Sequence, residues 1–194
     1  SHFTVARLTK GFTTIAVPVQ LVNNEIALMS IDDDVPRLFC DFPLIGTERF
    51  PFPVIVNNPN FNPTDPRDGV FLTTPPRVNK QIDDNKTFMR EAVELYFQLL
   101  EHAARQKWKN LHLLARIPSS ASSFEWLDPG WFKRDVSDPI RKRLLRAKIV
   151  TTALGELAEM ITPDDKVFMW FPCADSRELR EKIWHCAKYW FPHC

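Results

Sequence analysis

The stretch from residue 84 to residue 106, DNKTFMREAVELYFQLLEHAARQ, decides the fold class. Its apolar residues recur at spacings of three and four, which forms one stripe along a helix. The members of this stripe are Phe88, Ala92, Leu95, Leu99 and Ala103. Asp84 is a residue type that caps helix N-termini. We therefore expect one long helix over residues 84–106.

The residues before this helix show the two-residue alternation of β-strands. We expect strands over residues 12–20, 25–31, 37–42 and 53–56, with a turn at Asn23-Asn24. In the first strand, Ile15, Val17 and Val19 fall on one face. Pro43, Pro51 and Pro53 should end or bend the later strands, because proline cannot donate a ladder hydrogen bond.

The residues after the long helix predict shorter elements. A second helix is expected over 108–116, a third starting at Asp138-Pro139, a hairpin within 149–161 around Gly155, a strand over 166–171 and a last helix over 175–189. A serine-rich loop at 118–123 separates a β-rich lobe, residues 1–117, from a small mixed lobe, residues 118–194. Strands, then helices, then a mixed lobe predict an α+β fold.

The composition excludes several functional classes. The chain has 194 residues, a net charge of +1 and only 5 glycines, so neither G-x-G-x-x-G nor a P-loop is present. G-x-S-x-G and H-E-x-x-H are absent as well. No apolar run reaches the length of a membrane span, and residues 1–10 lack the apolar core of a signal peptide. We therefore expect no membrane partner and a cytoplasmic protein without a complete active site of its own.

The loop over residues 57–68, NNPNFNPTDPRD, is the first candidate site. Its prolines and asparagines exclude a helix or an interior strand. It presents Arg67, and a held arginine is what phosphoryl-transfer sites use to neutralise charge on a γ-phosphate. The local alternative is that Arg67 pairs with Asp65 or Asp68 and stabilises a turn.

A basic segment is the second candidate site. Its charges are concentrated at Arg141, Lys142, Arg143, Arg146 and Lys148. Such a patch can bind phosphates, and hence nucleic acid. The alternative is the solvated face of an amphipathic helix.

The C-terminal end is the third candidate, because it holds several thiol and imidazole groups. These are Cys173, His185, Cys186, His193 and Cys194. Zinc prefers four such ligands in a tetrahedral array, but this spacing matches no standard zinc motif. We therefore expect no metal there, and a metal-stabilised structural domain remains the weakest hypothesis.

Four segments between residues 36 and 72 resemble a known family. PRLFCDFPLIG at 36–46, FPFPVIVN at 50–57, FNPT at 61–64 and RDG at 67–69 look like sacsin-type ATP-binding proteins. Those proteins are members of the GHKL ATPase superfamily and relatives of the heat-shock-protein-90-type chaperones. The resemblance implies a middle or transducer segment, which follows the nucleotide-binding domain.

The resemblance also implies roles for individual residues. Arg67 resembles the arginine that the middle segment places on the γ-phosphate, with Asn62, Thr64 and Asp68 as binding residues in the same loop. The expected partner is the protein's own ATPase domain, on the N-terminal side of this chain, with ATP and Mg bound there rather than here. The segment would couple nucleotide state to movement. The alternative is a module that binds a protein client or nucleic acid through the basic helix over 138–148.

Overall fold

A mixed β-sheet forms the N-terminal part of the molecule in the computed structural model, which describes residues 4–75, 77, 79–118, 124–151, 157–159 and 182. Its six strands are β1 (Thr4–Lys10), β2 (Thr13–Val22), β3 (Glu25–Leu28), β4 (Leu38–Cys40), β5 (Phe42–Pro43) and β6 (Ile55–Asn57). The strand order is β1-β2-β6-β4-β5, and β3 also pairs with β2. All pairs are antiparallel except β4 with β6, which is parallel.

The long strand β2 organises the sheet. One of its edges pairs with β1, while the other pairs with β6 near Ile15 and with β3 near Leu21. Buried and half-buried side chains alternate from Thr13 to Val19, as the sequence predicts. The predicted face of Ile15, Val17 and Val19 is therefore confirmed as the core face of β2.

All four predicted strands have other bounds, and the one expected over 12–20 runs from Thr13 to Val22. The strand expected over 25–31 ends at Leu28, and the last one runs from Ile55 to Asn57. The strand expected over 37–42 is divided between β4 and β5, because Asp41 takes a positive φ of 60° and reverses the chain. The prolines lie where β5 ends and before β6 begins, consistent with their missing donor group.

The long helix, α1, runs from Lys80 to Arg105, so the start predicted at Asp84 is wrong by four residues. The cap is Asn79, whose side chain accepts hydrogen bonds from the backbone N–H groups of Gln81 (3.0 Å) and Ile82 (3.4 Å). The predicted apolar stripe is buried apart from the half-buried Phe88.

The helix predicted over 108–116 is only a short 3₁₀-helix, Leu111–Ala115. The backbone of Lys109 instead bonds to β3, donating to Ile26 O at 2.9 Å and accepting from Leu28 N at 3.1 Å. Asn110 then takes a φ of 61°, which a helix does not tolerate. Tertiary pairing with the sheet therefore replaces the first turn of the expected helix.

The third helix starts earlier than predicted. It comprises α2 (Pro129–Phe132), a π-helical turn (Lys133–Ser137) and α3 (Asp138–Leu145). Asp128 is the cap, because its Oδ1 accepts from Gly130 N at 2.8 Å and Trp131 N at 3.1 Å. Asp138 is therefore inside the helical stretch and not its cap. Pro139 has no N–H group and cannot donate a helical hydrogen bond. The π-helical turn just before it is a place where a missing hydrogen bond is tolerated.

Two short strands follow. β7 (Val150–Thr151) pairs antiparallel with β8 (Leu157–Ala158), which confirms the hairpin predicted within 149–161. The strand predicted over 166–171, the helix predicted over 175–189 and the C-terminal cysteine and histidine cluster lie outside the described residues.

One hydrophobic core collects side chains from the sheet, from α1 and from the helical stretch after residue 124. Phe50 is fully buried there and its ring contacts those of Trp126 and Phe132. Tyr96 of α1 is also fully buried and donates to the carbonyl of Leu114 at 2.6 Å. The chain therefore has an α+β fold, while the division into lobes at residue 118 stays a prediction.

None of the helices within the described ranges is both long enough and apolar enough to cross a membrane.

Candidate functional site

The candidate site is the loop between β6 and α1 that carries Arg67, which we call the Arg67 loop (residues 58–72). Its first residue, Asn58, is fully buried and ties the loop to the sheet. The backbone N–H of Asn58 donates to Phe39 O at 3.1 Å, and its side-chain amide donates to Thr13 Oγ1 at 2.9 Å. Thr13 in turn donates to Glu91 of α1 at 2.5 Å. The start of the loop is therefore fixed to both the sheet and the long helix.

A second buried amide fixes the middle of the loop. Asn85, on the second turn of α1, accepts from the backbone N–H of Asn62 at 2.8 Å. Its Nδ2 donates to Asn62 O at 2.9 Å and to Phe71 O at 3.1 Å. Asn85 itself is fully buried, so its amide group is shielded from water at this contact. The predicted binding residue Asn62 thus connects the loop to α1 through its backbone.

The tip of the loop is a tight turn between Thr64 and Gly69. Thr64 Oγ1 donates to Asp68 Oδ1 at 2.6 Å, and Asp68 N donates back to Thr64 Oγ1 at 3.1 Å. The backbone N–H of Thr64 also donates to Gly69 O at 2.9 Å. The predicted binding residues Thr64 and Asp68 therefore hold the turn that carries Arg67.

Gly69 packs directly against the indole ring of Trp126. A methyl group added at Gly69 would overlap that ring, so only glycine leaves room for it. Trp126 lies in the core and its backbone carbonyl accepts from Leu72 N at 2.8 Å. The end of the loop is therefore held by contacts with Trp126, in the segment that precedes α2.

Arg67 is exposed at the tip of this fixed loop. Its backbone has a positive φ of 73° and its N–H donates to Thr64 O at 2.7 Å. The guanidinium group reaches only the carbonyl of Cys40, through Nη2, at 3.5 Å. Within the described ranges it forms no ion pair, so the pairing with Asp65 or Asp68 that the sequence left open is not formed. The structure thus presents an unpaired cation on a rigid backbone.

The basic residues predicted as a second site lie on or just after α3, not in the Arg67 loop. Arg143 forms an ion pair with Glu101 of α1 and lies 5.8 Å from the ring centre of Phe97. Arg141, Lys142 and Arg146 are exposed. Arg143 is therefore engaged in packing α3 on α1, whereas Arg141 and Lys142 are exposed on the same helix.

Sequence reasoning missed a buried cation, Arg37, which directly precedes β4. Only 5% of its surface is exposed, and its Nε and Nη1 have no hydrogen-bond partner among the described residues. Burial lowers the pKa of Arg37, Asp33 opposes that shift and Arg116 adds to it. The signal in the sequence is a charged residue inside the otherwise apolar run of residues 35–39.

The described part of the chain contains no group of three or more histidine, cysteine or acidic side chains placed to hold a metal ion. The expectation that the C-terminal cysteines and histidines bind no metal stays a prediction.

Comparisons with known proteins add no relative: no family model, no curated protein and no solved structure matches this chain.

Proposed function

We propose that this chain is the middle, or transducer, segment of a GHKL-type ATPase and that it supplies Arg67 to the γ-phosphate of ATP bound by a separate nucleotide-binding domain. The observation that carries the proposal is the state of Arg67. Its side chain is exposed and unpaired, while its backbone is held by hydrogen bonds on both sides.

A fixed backbone matters because an arginine helps phosphoryl transfer mainly by position and charge. The guanidinium group presents several donors in a planar fork that matches phosphate oxygens. An arginine on a mobile loop would lose conformational entropy each time it bound. Here the turn between Thr64 and Gly69 has already removed most of that backbone freedom. This arrangement suits a residue that docks into a neighbouring site.

The same loop offers a route for coupling. Movement of the Arg67 loop acts on α1 through Asn85 and on β2 through Asn58 and Thr13. Because α1 continues from Asn85 to Arg105, it extends roughly 30 Å beyond this contact. A change in the nucleotide site would therefore displace a long rigid element. Coupling of this kind requires that nucleotide binds the two positions of the loop with different affinity.

The first test is the coding sequence upstream of Ser1, where the proposal requires a GHKL nucleotide-binding domain. The second uses that longer protein and compares Arg67→Ala with Arg49→Ala, a second exposed arginine in a turn. We expect Arg67→Ala to lower ATP turnover by about 10³-fold, as for other arginines that contact the transferred phosphate, with nucleotide affinity nearly unchanged. Arg49→Ala should retain turnover.

Three results would contradict the proposal. They are the absence of such a domain, equal turnover in both variants, and ATP hydrolysis at enzyme-like rates by residues 1–194 alone.

The exposed charges Arg141 and Lys142 support a second candidate, a module that binds a protein client or nucleic acid through α3. Binding to nucleic acid would weaken steeply with salt, because each phosphate contact releases counterions. A gel-shift series from 50 to 200 mM salt, with Arg141→Ala/Lys142→Ala as the variant, tests this. Since Arg143 already pairs with Glu101, this surface is the weaker of the two candidates.

A further inference from the structure

Large apolar side chains are exposed at the edge of the sheet from which the Arg67 loop leaves. Phe12 lies in the turn between β1 and β2 and is 67% exposed, and Phe42 of β5 is 73% exposed. Ile45, in the turn after β5, is exposed as well. Single exposed apolar residues are common, but a group of them on one edge indicates an interaction surface. We call these three residues the apolar edge.

Contacts of the Arg67 loop place two members of the apolar edge beside Arg67. The Nη2 of Arg67 lies 3.5 Å from the carbonyl oxygen of Cys40, and Cys40 is the residue of β4 that pairs with Phe42 of β5. The turn of Ile45 lies against Asp68, which directly follows Arg67 in the loop. Phe42 and Ile45 therefore lie on the same side of the unpaired guanidinium group.

Phe12 lies on the other side of the loop. It precedes Thr13, whose hydroxyl accepts a hydrogen bond from the side chain of Asn58, the first residue of the Arg67 loop. The strands β2, β6, β4 and β5 are neighbours in that order, and neighbouring strands are about 4.8 Å apart. The strands next to Phe12 and Phe42 are therefore roughly 14 Å apart, and the loop leaves from β6 between them.

The charges at this edge favour a protein surface as the occupant. Asp41, Asp65 and Asp68 are exposed near Arg67, so this edge has no excess of positive charge and would not attract nucleic acid. Aromatic residues and arginine are the types that dominate the centres of protein interfaces. An apolar protein surface that surrounds one anion is the occupant that fits both the aromatic rings and the unpaired Arg67.

We propose that the apolar edge docks onto the nucleotide-binding domain when ATP is bound there, and that Phe12 and Phe42 thereby hold Arg67 at the γ-phosphate. This inference rests on the proposed function and adds the contacts that bring the two domains together. Burial of the two rings stabilises the docked state, because it removes apolar surface from water. Since loss of the γ-phosphate removes the anion that Arg67 contacts, docking is tighter with ATP than with ADP.

The first test uses the longer protein that contains the nucleotide-binding domain, with a non-hydrolysable ATP analogue, with ADP or with neither. Hydroxyl-radical footprinting measures the oxidation of each side chain by mass spectrometry. We expect the oxidation of Phe12 and Phe42 to fall severalfold with the ATP analogue and not with ADP. Leu21 is the matched control, since it is 69% exposed near the far end of β2, and its oxidation should not change.

The second test measures ATP turnover by the same protein. Phe42→Ala should lower kcat about tenfold with nucleotide affinity unchanged, which is the effect of losing one strong interface contact. Phe12→Ala should act in the same way and remains informative if Phe42→Ala fails to fold, while Leu21→Ala should keep kcat. Adding Phe42→Ala to Arg67→Ala should lower kcat little further, because both residues act in the same docked state.

The outcomes separate this inference from the proposed function. If Arg67→Ala lowers turnover but both phenylalanine variants keep kcat and neither ring is protected, the proposed function stands and this inference is overturned. If Arg67→Ala keeps turnover, or if no nucleotide-binding domain precedes the chain, both are overturned. Protection of the rings that depends on protein concentration and not on nucleotide assigns the apolar edge to a second copy of the chain, and also overturns the inference.

Discussion

The side-chain amide of Asn85 forms two hydrogen bonds with the backbone of Asn62, in the way that a neighbouring β-strand would. Asn85 Oδ1 accepts from Asn62 N at 2.8 Å, and Asn85 Nδ2 donates to Asn62 O at 2.9 Å. A loop residue thereby gains the pairing that it would have in a sheet, although it lies beside a helix. This relationship fixes the Arg67 loop to α1.

The first prediction concerns that contact. Asn85→Ala should lower the free energy of unfolding by about 2 kcal/mol, because it leaves two partly buried backbone groups, Asn62 N and Phe71 O, without these partners. Urea denaturation measures the change, and Asn60→Ala, at an exposed position of the same loop, is the control. Equal stability of the two variants would show that the contact is not essential to the loop.

The second prediction separates the backbone of Arg67 from its charge. At a φ of 73° a glycine is not strained, so Arg67→Gly should leave the free energy of unfolding unchanged or raise it by up to about 1 kcal/mol. Arg49 has no positive φ, and Arg49→Gly should lower stability through the greater freedom of the unfolded chain. Thermal melts of both variants test this. A clear loss of stability in Arg67→Gly alone would contradict it, because the guanidinium group would then be structural.

The third prediction concerns Gly69, which has no room for a side chain beneath Trp126. Gly69→Ala should destabilise the protein by about 1–3 kcal/mol, because either the indole or the loop must move. The emission of Trp126 should shift as its surroundings change. Gly130→Ala is the control, since Gly130 lies in α2, where a methyl group meets only Asp128 Oδ1 at 3.3 Å. Similar behaviour of both variants would argue against close packing at Gly69.

The fourth prediction concerns acid stability at the cap of α2. The hydroxyl of Thr74, then the backbone N–H groups of Trp131 and Gly130, hold the pKa of Asp128 below its usual range. A lowered pKa in the folded state means that the charge stabilises the protein above about pH 4, and that this contribution is lost as the pH falls further.

Asp128→Asn keeps a capping oxygen but removes the titration. Wild type should therefore be the more stable protein at pH 7, and the difference should shrink toward pH 3. Asp34→Asn, at an exposed carboxylate, controls for a general change of charge. A difference that stays constant from pH 7 to pH 3 would contradict the linkage.

Local sequence patterns were sufficient to predict a helix or strand wherever that element buries one of its faces. The alternation in β2 and the stripe of α1 are set by the period of each element, so both could be predicted from spacing alone. The ends of helices were harder to predict from the sequence, because they depend on which side chain forms hydrogen bonds with the unpaired backbone groups of the first turn. Both Asn79 and Asp84 are suitable caps, and the structure uses Asn79.

The sequence by itself determined that the chain is an α+β protein without a glycine-rich phosphate loop, and that Arg67 lies in a loop that cannot be helix or interior strand. Only the tertiary structure decided that this loop is rigid and that Arg67 is unpaired, because Asn58, Asn85 and Trp126 hold the loop from distant parts of the chain. The burial of Arg37 was likewise decided there. The residues around Arg37 come from separate strands and from a 3₁₀-helix. Because tertiary packing brings them together, no local periodicity in the sequence predicts that Nε and Nη1 of Arg37 lack acceptors among the described residues.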